Sequence, residues 1–379
     1  MIRLLHLSYD WPDPFNPSKP NAVKSLVQLV PEFEHRVLSL NRARFPPFDK
    51  VDAGTGVTAF RLPGLPWGIL HSASMALGSR ILLDYLHTHP DWRPDLIHGH
   101  KLTFEGPLAS SLAKAFDVPY LVTLRGNTDA RLMRWAPHLR PRFQRVIEEA
   151  AGVLAVSPWS IEQVEHYLPG SWNARAVLLP NPVPLASEPP EAPPEIAHFV
   201  LLMRLTPKNL HFKNIRRMLA ALRRVPGCHL DIWGEGEARR ELEALVAKSG
   251  LQDRVHLKGH IPNAEVPALL GRYTALAMPS VAETLGISFI EALAAGIPIL
   301  HPRNCGVDGF FTHGSEGVAV DPHNVDEIAK ALQQLASRAK EYRASVKVLI
   351  ESGGLAPFSP PQVASAYRQA VLGALGSAP

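Results

Sequence analysis

Two glutamates stand on either side of a glycine in the segment PSVAETLGISFIEALAAGIP, which spans residues 279–298. Glu283 lies in a predicted loop before Gly286, and Glu291 lies in the helix predicted to follow. The start of a helix offers unpaired backbone N–H groups and partial positive charge, which together favour a bound phosphate. Two carboxylates beside a phosphate site suit sugar hydroxyls, since a carboxylate accepts hydrogen bonds. The segment therefore predicts a site for a nucleotide-sugar, which carries both groups.

Short apolar runs alternate with helix-period segments along the rest of the chain. The predicted strands of the first half are 3–8, 35–40, 58–62, 95–98, 120–124, 152–156 and 176–179. Those of the second half are 198–203, 229–233, 255–258, 275–278, 298–301 and 317–320, with helices over 214–224 and 238–249 among them. This βαβ rhythm predicts an α/β protein with parallel sheets that are covered on both faces.

Prolines are dense between the two halves, in the segment PNPVPLASEPPEAPPE at residues 180–195, which is typical of a stiff linker. We predict an N-terminal Rossmann-like, acceptor-side domain at 1–185 and a linker at 186–197. A Rossmann-like, nucleotide-sugar-binding domain follows at 198–358, and a C-terminal helix at 359–379 packs back on the first domain. Open parallel sheets bind ligands at the carboxyl ends of their strands, so we expect the substrates there.

Composition narrows the class of protein further. Of the 379 residues, 46% are hydrophobic and 20% are charged, which indicates a globular chain. No apolar run is long enough for a transmembrane helix, and the N-terminus reads as a strand rather than a signal peptide, so we expect a cytoplasmic protein. The two cysteines form neither a metal-ligand spacing nor a disulfide framework, and the net charge of +4 does not favour nucleic-acid binding.

Six arginines cluster between Arg125 and Arg145, beside Trp135. Such a patch suits a weak peripheral contact with the inner membrane surface, or an anionic acceptor. A solvated helical face is the alternative, because Pro137 and Pro141 interrupt any long amphipathic helix here.

The string that begins at Glu283 also matches a known family pattern, E-x7-E followed by E-A-x-A-x-G-x-P. The matching residues are Glu283, Glu291, Ala292, Ala294, Gly296 and Pro298. On these residues the chain resembles the GT-B-fold glycosyltransferases of family 4, the glycosyltransferases of group 1. The resemblance implies two Rossmann-like domains that face a central cleft. It also implies retaining transfer of a hexose-type sugar from a UDP- or GDP-sugar to a glycan or lipid-linked acceptor.

The resemblance assigns roles around the glycine. It implies that Glu283 faces the transferred sugar and that Glu291 binds the ribose hydroxyls. Gly286 lets the backbone approach the ligand, and Ile287 and Ser288 direct N–H groups at the leaving diphosphate. For Glu291 the structural alternative is a capping box with Ser288.

Cations must stabilise the leaving diphosphate, and the chain has no D-x-D motif to hold a metal. We therefore expect no metal or other cofactor. Arg204 ends a predicted strand where the family places its diphosphate-binding arginine. Lys213 matches the family's lysine, with Lys208 as the alternative. By the same resemblance, Gly234 forms a G-x-G turn, and the backbone of His260 and Ile261 holds the base.

The first half departs from the family pattern in two places. Residues 16–25 replace the usual Gly-Gly loop, and Arg125 replaces the histidine of a T-x-H-G motif. We predict Arg125 as an active-site hydrogen-bond donor, with an ordinary surface arginine as the alternative. His98 and His100 share a strand face, but no third metal ligand is evident. We therefore predict no metal there, and His100 as a substrate contact or a hydrogen-bonded structural histidine.

Within this family, cell-envelope polysaccharide or lipopolysaccharide biosynthesis is the expected setting. Two other activities stay open. One is a different GT-B enzyme, a nucleotide-sugar epimerase or a phosphorylase. The other is a non-catalytic nucleotide-sugar-binding protein, which Arg125 and the lost Gly-Gly loop would suit.

Overall fold

A computed structural model describes residues 1–54, 56–65, 68–185 and 194–376. Its contacts divide the chain into two units. The first comprises Met1–Pro182 and the C-terminal segment that starts at Pro360, and the second comprises Val183–Ser359. Most of the predicted linker, residues 186–193, lies outside the described residues. No helix among those that are described is long and apolar enough to cross a membrane.

The first unit is built on an eight-stranded sheet with the order β3-β4-β2-β1-β5-β6-β7-β8. Its strands are β1 Arg3–Ser8, β2 Glu34–Ala43, β3 Lys50–Asp52, β4 Val57–Pro63, β5 Leu96–Gly99, β6 Tyr120–Leu124, β7 Gly152–Ala155 and β8 Ala176–Leu178. All described pairs are parallel except β3 with β4. Strand β3 is missing from the predictions because it is short and wholly exposed, so it carries no apolar signal.

Helices cover this sheet: α1 Ala22–Gln28, α2 His71–His87, α3 Glu105–Phe116, α4 Asn127–Trp135, α5 Arg140–Glu149 and α6 Pro158–Tyr167. The prolines interrupt the arginine-rich segment as predicted. Helix α4 ends before Pro137, and Pro141 lies in the first turn of α5, where its missing N–H leaves no hydrogen bond unmade.

The second unit is built on a six-stranded parallel sheet with the order β11-β10-β9-β12-β13-β14. Its strands are β9 His198–Leu202, β10 His229–Trp233, β11 Val255–Gly259, β12 Ala275–Ala277, β13 Ile299–Pro302 and β14 Gly317–Val320. Its helices are α7 Pro207–Phe212, α8 Ile215–Arg223, α9 Arg239–Lys248, α10 Val266–Leu270, α11 Ile287–Ala294, α12 Val325–Ser337 and α13 Ala339–Glu351. The central strands are buried on both faces, so they read as continuous apolar runs.

The last helix, α14 Pro360–Gly376, belongs to the first unit although it follows the second in the chain. Its buried residues Val363, Tyr367 and Val371 join a core cluster with Leu4 and Leu96. The Tyr367 hydroxyl also lies 2.9 Å from Nδ1 of His98 on β5. The helix therefore contributes both apolar packing and a buried polar contact to the first unit.

Candidate functional site

A cavity of about 470 Å³ lies in the second unit at the carboxyl ends of β9, β10 and β11. Open parallel sheets place their ligands at this edge. Six of the sequence-predicted site residues line the cavity: Arg204, Gly234, His260, Ile261, Ser288 and Glu291. They come from the three loops that follow the strands and from the start of α11, so the fold brings together residues that lie almost ninety positions apart.

The turn after β10 requires glycine. Gly234 has a φ of 140°, and a Cβ added there would lie 1.7 Å from the carbonyl oxygen of Met203. Its N–H donates to the carbonyl of Gly259 at 2.7 Å, which ties the ends of β10 and β11 together. Any side chain at this position would push the turn away from β9 and alter the floor of the cavity beside Arg204.

Helix α11 begins at Ile287, and Gly286 precedes it with a φ of 75°. No side chain caps this end of the helix among the described contacts. The alternative interpretation of Ser288 and Glu291 as a capping box is therefore wrong, because Ser288 is already the second helical residue. The uncapped N–H groups carry the positive end of the helix dipole, so an anion can approach them without competition from a side chain.

The Glu291 carboxylate has no hydrogen-bond or ion-pair partner among the described residues. Burial alone raises its pKa, since no charge or donor of the protein compensates. A partly buried acceptor without a partner costs folding free energy. Such a group is retained where a ligand supplies the missing donors, and ribose hydroxyls are donors of this kind.

Glu283 forms an ion pair with Lys213. The Lys213 ammonium also lies 3.1 Å from the sulfur of Met278. A Cβ at Gly286 would lie 3.7 Å from Oε2 of Glu283, so this carboxylate stands beside the start of α11. Lys208, the alternative lysine, lies instead on α7 with its ammonium 5.4 Å from the centre of the Phe212 ring. The structure thus places Lys213, and not Lys208, beside the predicted sugar-facing glutamate.

A loop that the sequence did not single out supports Glu283 from the other side. A Cβ at Gly306 would lie 3.2 Å from the Cβ of Glu283, so only a very small residue fits there. The neighbouring Cys305 is buried, and burial raises the pKa of its thiol to about 12. This cysteine stays protonated and packs against the glutamate. In the sequence, only the position of Cys305 after β13, at the carboxyl edge of the sheet, could have indicated that it lies beside Glu283.

Arg125 in the first unit is 7% exposed, so the alternative of an ordinary surface arginine is wrong. Its guanidinium donates to the carbonyl of His100 and to Oδ1 of Asn181, both at 3.2 Å. Burial lowers its pKa, while the nearby carboxylates of Asp10 and Glu105 act in the opposite direction. Because it is buried, Arg125 does not belong to the exposed arginine patch.

His100 is 1% exposed, which matches the alternative of a hydrogen-bonded buried histidine for this conformation. Together with His6 and His98 it forms a histidine cluster whose donor atoms lie within 4.8 Å of one another. The statement that no third ligand accompanies His98 and His100 is therefore wrong. The third is His6 on β1, which is 94 positions away from His100 and has no motif to announce it.

Hydrogen bonds account for most ring nitrogens of the histidine cluster. His98 contacts Tyr367 on one side and Thr123, at 2.7 Å, on the other. His6 lies 3.1 Å from Nε2 of His100 and 2.9 Å from Nδ1 of His35. Burial lowers the pKa of every member of the cluster, and charge repulsion, from other histidines for His6 and His100 and from Arg125 for His98, lowers it further, so the rings are neutral.

The loop that replaces the family's Gly-Gly turn is held by a buried ion pair. Lys19 donates to Asp13 at 2.6 Å, to Ser39 at 3.2 Å and to the carbonyl of Leu40 at 2.9 Å. All three acceptors belong to the first unit, so the ammonium is fully engaged in fixing the loop. This loop therefore keeps its shape by side-chain contacts instead of glycine conformations.

Sequence reasoning missed a charged group at the carboxyl edge of the same sheet. Asp10 follows β1 and forms an ion pair of 2.7 Å with Lys101, which follows β5. Glu105 accepts a hydrogen bond from the N–H of Tyr9 through one oxygen, and its other oxygen is buried without a hydrogen bond. Burial raises the pKa of Glu105 to about 7. The positions of Asp10 and Lys101, each two residues after a strand, were the available signal.

Two family profiles match the chain. The one described as "Glycosyl transferases group 1" matches residues 198–347, and the one described as "Glycosyl transferase 4-like domain" matches residues 22–182. The chain belongs to the group 1 glycosyltransferases. A glycogen synthase of Mycobacterium tuberculosis is 26% identical to this glycosyltransferase over 364 residues, which cover 88% of this chain and 86% of the relative.

Solved structures confirm the predicted GT-B fold. The lipopolysaccharide outer core galactosyltransferase WaaB matches with a TM-score of 0.72 at 16% identity, over 98% of this chain and 99% of its own. The Anabaena protein HepE, solved in complex with UDP and glucose, matches with a TM-score of 0.69 at 15% identity, over 98% of this chain and 100% of its own. In the glycosyltransferase described here, six of the predicted residues of the second unit line one cavity, and the Glu283–Lys213 pair lies beside the start of α11. Arg125 and His100, by contrast, are buried in the first unit.

Proposed function

We propose that this glycosyltransferase moves a hexose-type sugar from a UDP- or GDP-sugar to a hydroxyl of a glycan or lipid-linked acceptor, with retention at the anomeric carbon and without a metal. One observation carries the proposal. The unpartnered Glu291 carboxylate shares its cavity with Arg204 and with the uncapped start of α11. An acceptor of hydroxyl protons beside two anion-binding groups suits a ribose joined to a diphosphate.

These groups bind and position the donor. Ribose hydroxyls donate to Glu291, and the diphosphate accepts hydrogen bonds from Arg204 and from the N–H groups of Ile287 and Ser288. The base lies against the backbone of His260 and Ile261, which line the same cavity. Backbone contacts recognise a base without a characteristic side chain, so uridine and guanosine both remain within the proposal.

The chemistry then follows from charge. The bond between C1 of the sugar and the diphosphate oxygen breaks, and negative charge builds on the leaving group. Arg204, Lys213 and the start of α11 stabilise that charge, and for this reason we propose that no metal is needed. Glu283, beside Gly286, accepts hydrogen bonds from the transferred sugar. The acceptor hydroxyl bonds to C1, and its proton passes to an oxygen of the departing diphosphate, which leaves as the nucleoside diphosphate. Retention is carried over from the family that the motif residues resemble.

The proposal also includes the cellular location of the reaction and the biosynthesis that it serves. We place the reaction in the cytoplasm and assign it to the assembly of cell-envelope polysaccharide. A Rhizobium meliloti relative described as a lipopolysaccharide core biosynthesis glycosyltransferase, 29% identical over 125 residues, supports this assignment. For a lipid-linked acceptor, the exposed arginines of α4 and α5 would hold the enzyme weakly at the inner membrane surface.

The test starts from binding. Melting temperatures of the full chain are measured with UDP, GDP and their sugars, and a nucleotide that binds the native state raises the melting temperature. Glu291→Ala should abolish that rise, whereas Glu162→Ala, an exposed glutamate of α6, should leave it unchanged. Sugar transfer is then assayed with the stabilising donor. If the nucleotide raises the melting temperature of Glu291→Ala as much as that of the wild type, the role of Glu291 on which the proposal depends is refuted.

A further inference from the structure

A second cavity, of about 230 Å³, lies in the first unit. Its lining includes Arg42, Phe104, Thr128, Arg131, Leu132 and Trp135. Each of its walls follows the carboxyl end of a parallel strand: Arg42 is near the end of β2, Phe104 follows β5, and α4 follows β6. The cavity therefore occupies the edge at which this kind of sheet binds ligands.

One face of α4 forms most of the wall. Thr128, Arg131, Leu132 and Trp135 are spaced three, four and seven residues apart, so they share a single face. Leu132 is buried, whereas Trp135 is 62% exposed. This face thus combines an apolar and aromatic surface with a hydroxyl and a guanidinium.

The cavity is positively charged. No carboxylate lines it, and neither Arg42 nor Arg131 has an ion pair among the residues that the structure describes. The Arg42 guanidinium lies 4.8 Å from the centre of the ring of Phe104, which also lines the cavity, and this contact favours its position there. Two guanidinium groups with free donors suit a phosphate or a carboxylate, which they bind with planar, paired hydrogen bonds.

We propose that this cavity binds the acceptor through an acidic group, so that the acceptor is a saccharide unit that carries a phosphate or a carboxylate. The two arginines bind the anion, and the sugar ring packs against Leu132 and Trp135, since amphipathic rings suit an aromatic wall. The volume, below that of pockets for drug-sized ligands, limits the bound part to about one sugar unit. The assignment of this ligand as the acceptor rests on the proposed function, whereas the binding of an acidic sugar to this cavity does not.

The experiment measures binding to the full chain by isothermal titration with four probes: glucose 6-phosphate, glucuronate, glucose and inorganic phosphate. We expect one or both acidic sugars to bind, glucose to bind at least tenfold more weakly, and inorganic phosphate to compete with the phosphorylated sugar. The two acidic probes separate a phosphate from a carboxylate. Equal binding of glucose, or no binding of either acidic sugar, would overturn the proposal.

Variants locate the site. Arg131→Gln and Arg42→Gln should each weaken binding of the acidic sugar by roughly ten- to a hundredfold, as expected for the loss of charge-assisted hydrogen bonds. Arg145→Gln removes the same charge from an exposed position of α5 that does not line the cavity, and it should have no effect. Equal weakening in this control would indicate a diffuse electrostatic effect and would contradict the proposed site. Circular dichroism verifies that each variant is folded.

Two further measurements separate the outcomes. UDP and GDP binding, taken in every variant, should be unchanged, because the donor cavity lies in the other unit. A wild-type protein that binds the acidic sugar but neither UDP nor GDP would refute the proposed function, but not the proposal that this cavity binds an acidic sugar. Binding of the protein to vesicles of anionic phospholipid is also measured. If Arg131→Gln weakens binding to the vesicles but not to the acidic sugars, the cavity is part of a membrane contact and the proposal is wrong.

Discussion

Replacing Glu291 with glutamine should stabilise the free protein and weaken its binding of the nucleotide. The carboxylate is partly buried and has no partner among the described residues, so it costs folding free energy until a ligand binds. Leaving a buried acceptor unpaired costs about 1–3 kcal/mol. Since Glu291 is only partly buried, we expect the glutamine variant to gain about 1 kcal/mol in the free energy of unfolding at neutral pH.

The gain should depend on pH. Burial raises the pKa of Glu291 in the folded protein above its unfolded value, so the folded state holds its proton more tightly. Wild-type stability from this group is therefore fully present below the ordinary glutamate pKa and is lost as the pH rises through the raised pKa. The variant lacks this titration, so its advantage should appear only above that window.

Urea denaturation at pH 4.5 and at pH 8, with and without UDP or GDP, measures both effects. At pH 8 the variant should unfold at higher urea than the wild type in the absence of nucleotide. Its affinity should fall roughly ten- to a hundredfold, as two hydroxyl-to-carboxylate hydrogen bonds become weaker neutral ones. A variant that is less stable without ligand, or that binds the nucleotide as the wild type does, would refute the reasoning.

The remaining predictions concern turnover and acid stability. Glu283→Ala and Arg204→Ala should each lower kcat by about a hundredfold or more with the fold retained, as judged by circular dichroism. Lys213→Ala should lose turnover to a similar degree, whereas Lys208→Ala, in the first turn of α7, should keep it; the reverse order would exchange their roles. Transfer should be unaffected by EDTA, and loss of activity that manganese restores would contradict metal independence. Burial lowers the pKa of His98 to about 3, so the unfolded chain takes up the proton first as the pH falls below the ordinary histidine pKa. This should cost about 2 kcal/mol of stability between pH 7 and pH 5. His98→Gln should reduce the slope of that part of the profile, while His6 and His100, whose pKa values are also lowered, keep their share of it. A variant with the wild-type slope would count against the assignment.

The sheet strands could be predicted because their residues are buried on both faces. β1, with the sequence RLLHLS, contains Leu4, Leu5 and Leu7 at 0% exposure, and its predicted bounds match those observed. β3 has no buried residue, so neither apolar content nor alternation indicated it. The pairing of strands depends on contacts between distant segments, which no local pattern contains.

The site could be predicted where one segment holds it. Glu283, Gly286 and Glu291 lie within nine residues, so the family motif was enough to name them as candidates. The choice between the two lysines needed the structure. Pro207 and the Thr206 cap begin the short helix α7, in which Lys208 is exposed, and Lys213 directly follows the end of this helix. The histidine cluster could not be predicted from the sequence, because His6 contacts His100 only through the pairing of β1 with β5.

The position of α14 has a consequence for how the chain is made. Its apolar residues fill the space against Leu4 and Leu96 on strands that are synthesised near the beginning. On the ribosome, the second unit has therefore emerged in full before the first receives its final element. Until then the early strands expose leucines that need temporary cover, and a nascent chain stalled before residue 360 should be a client of chaperones even though most of its length can already fold.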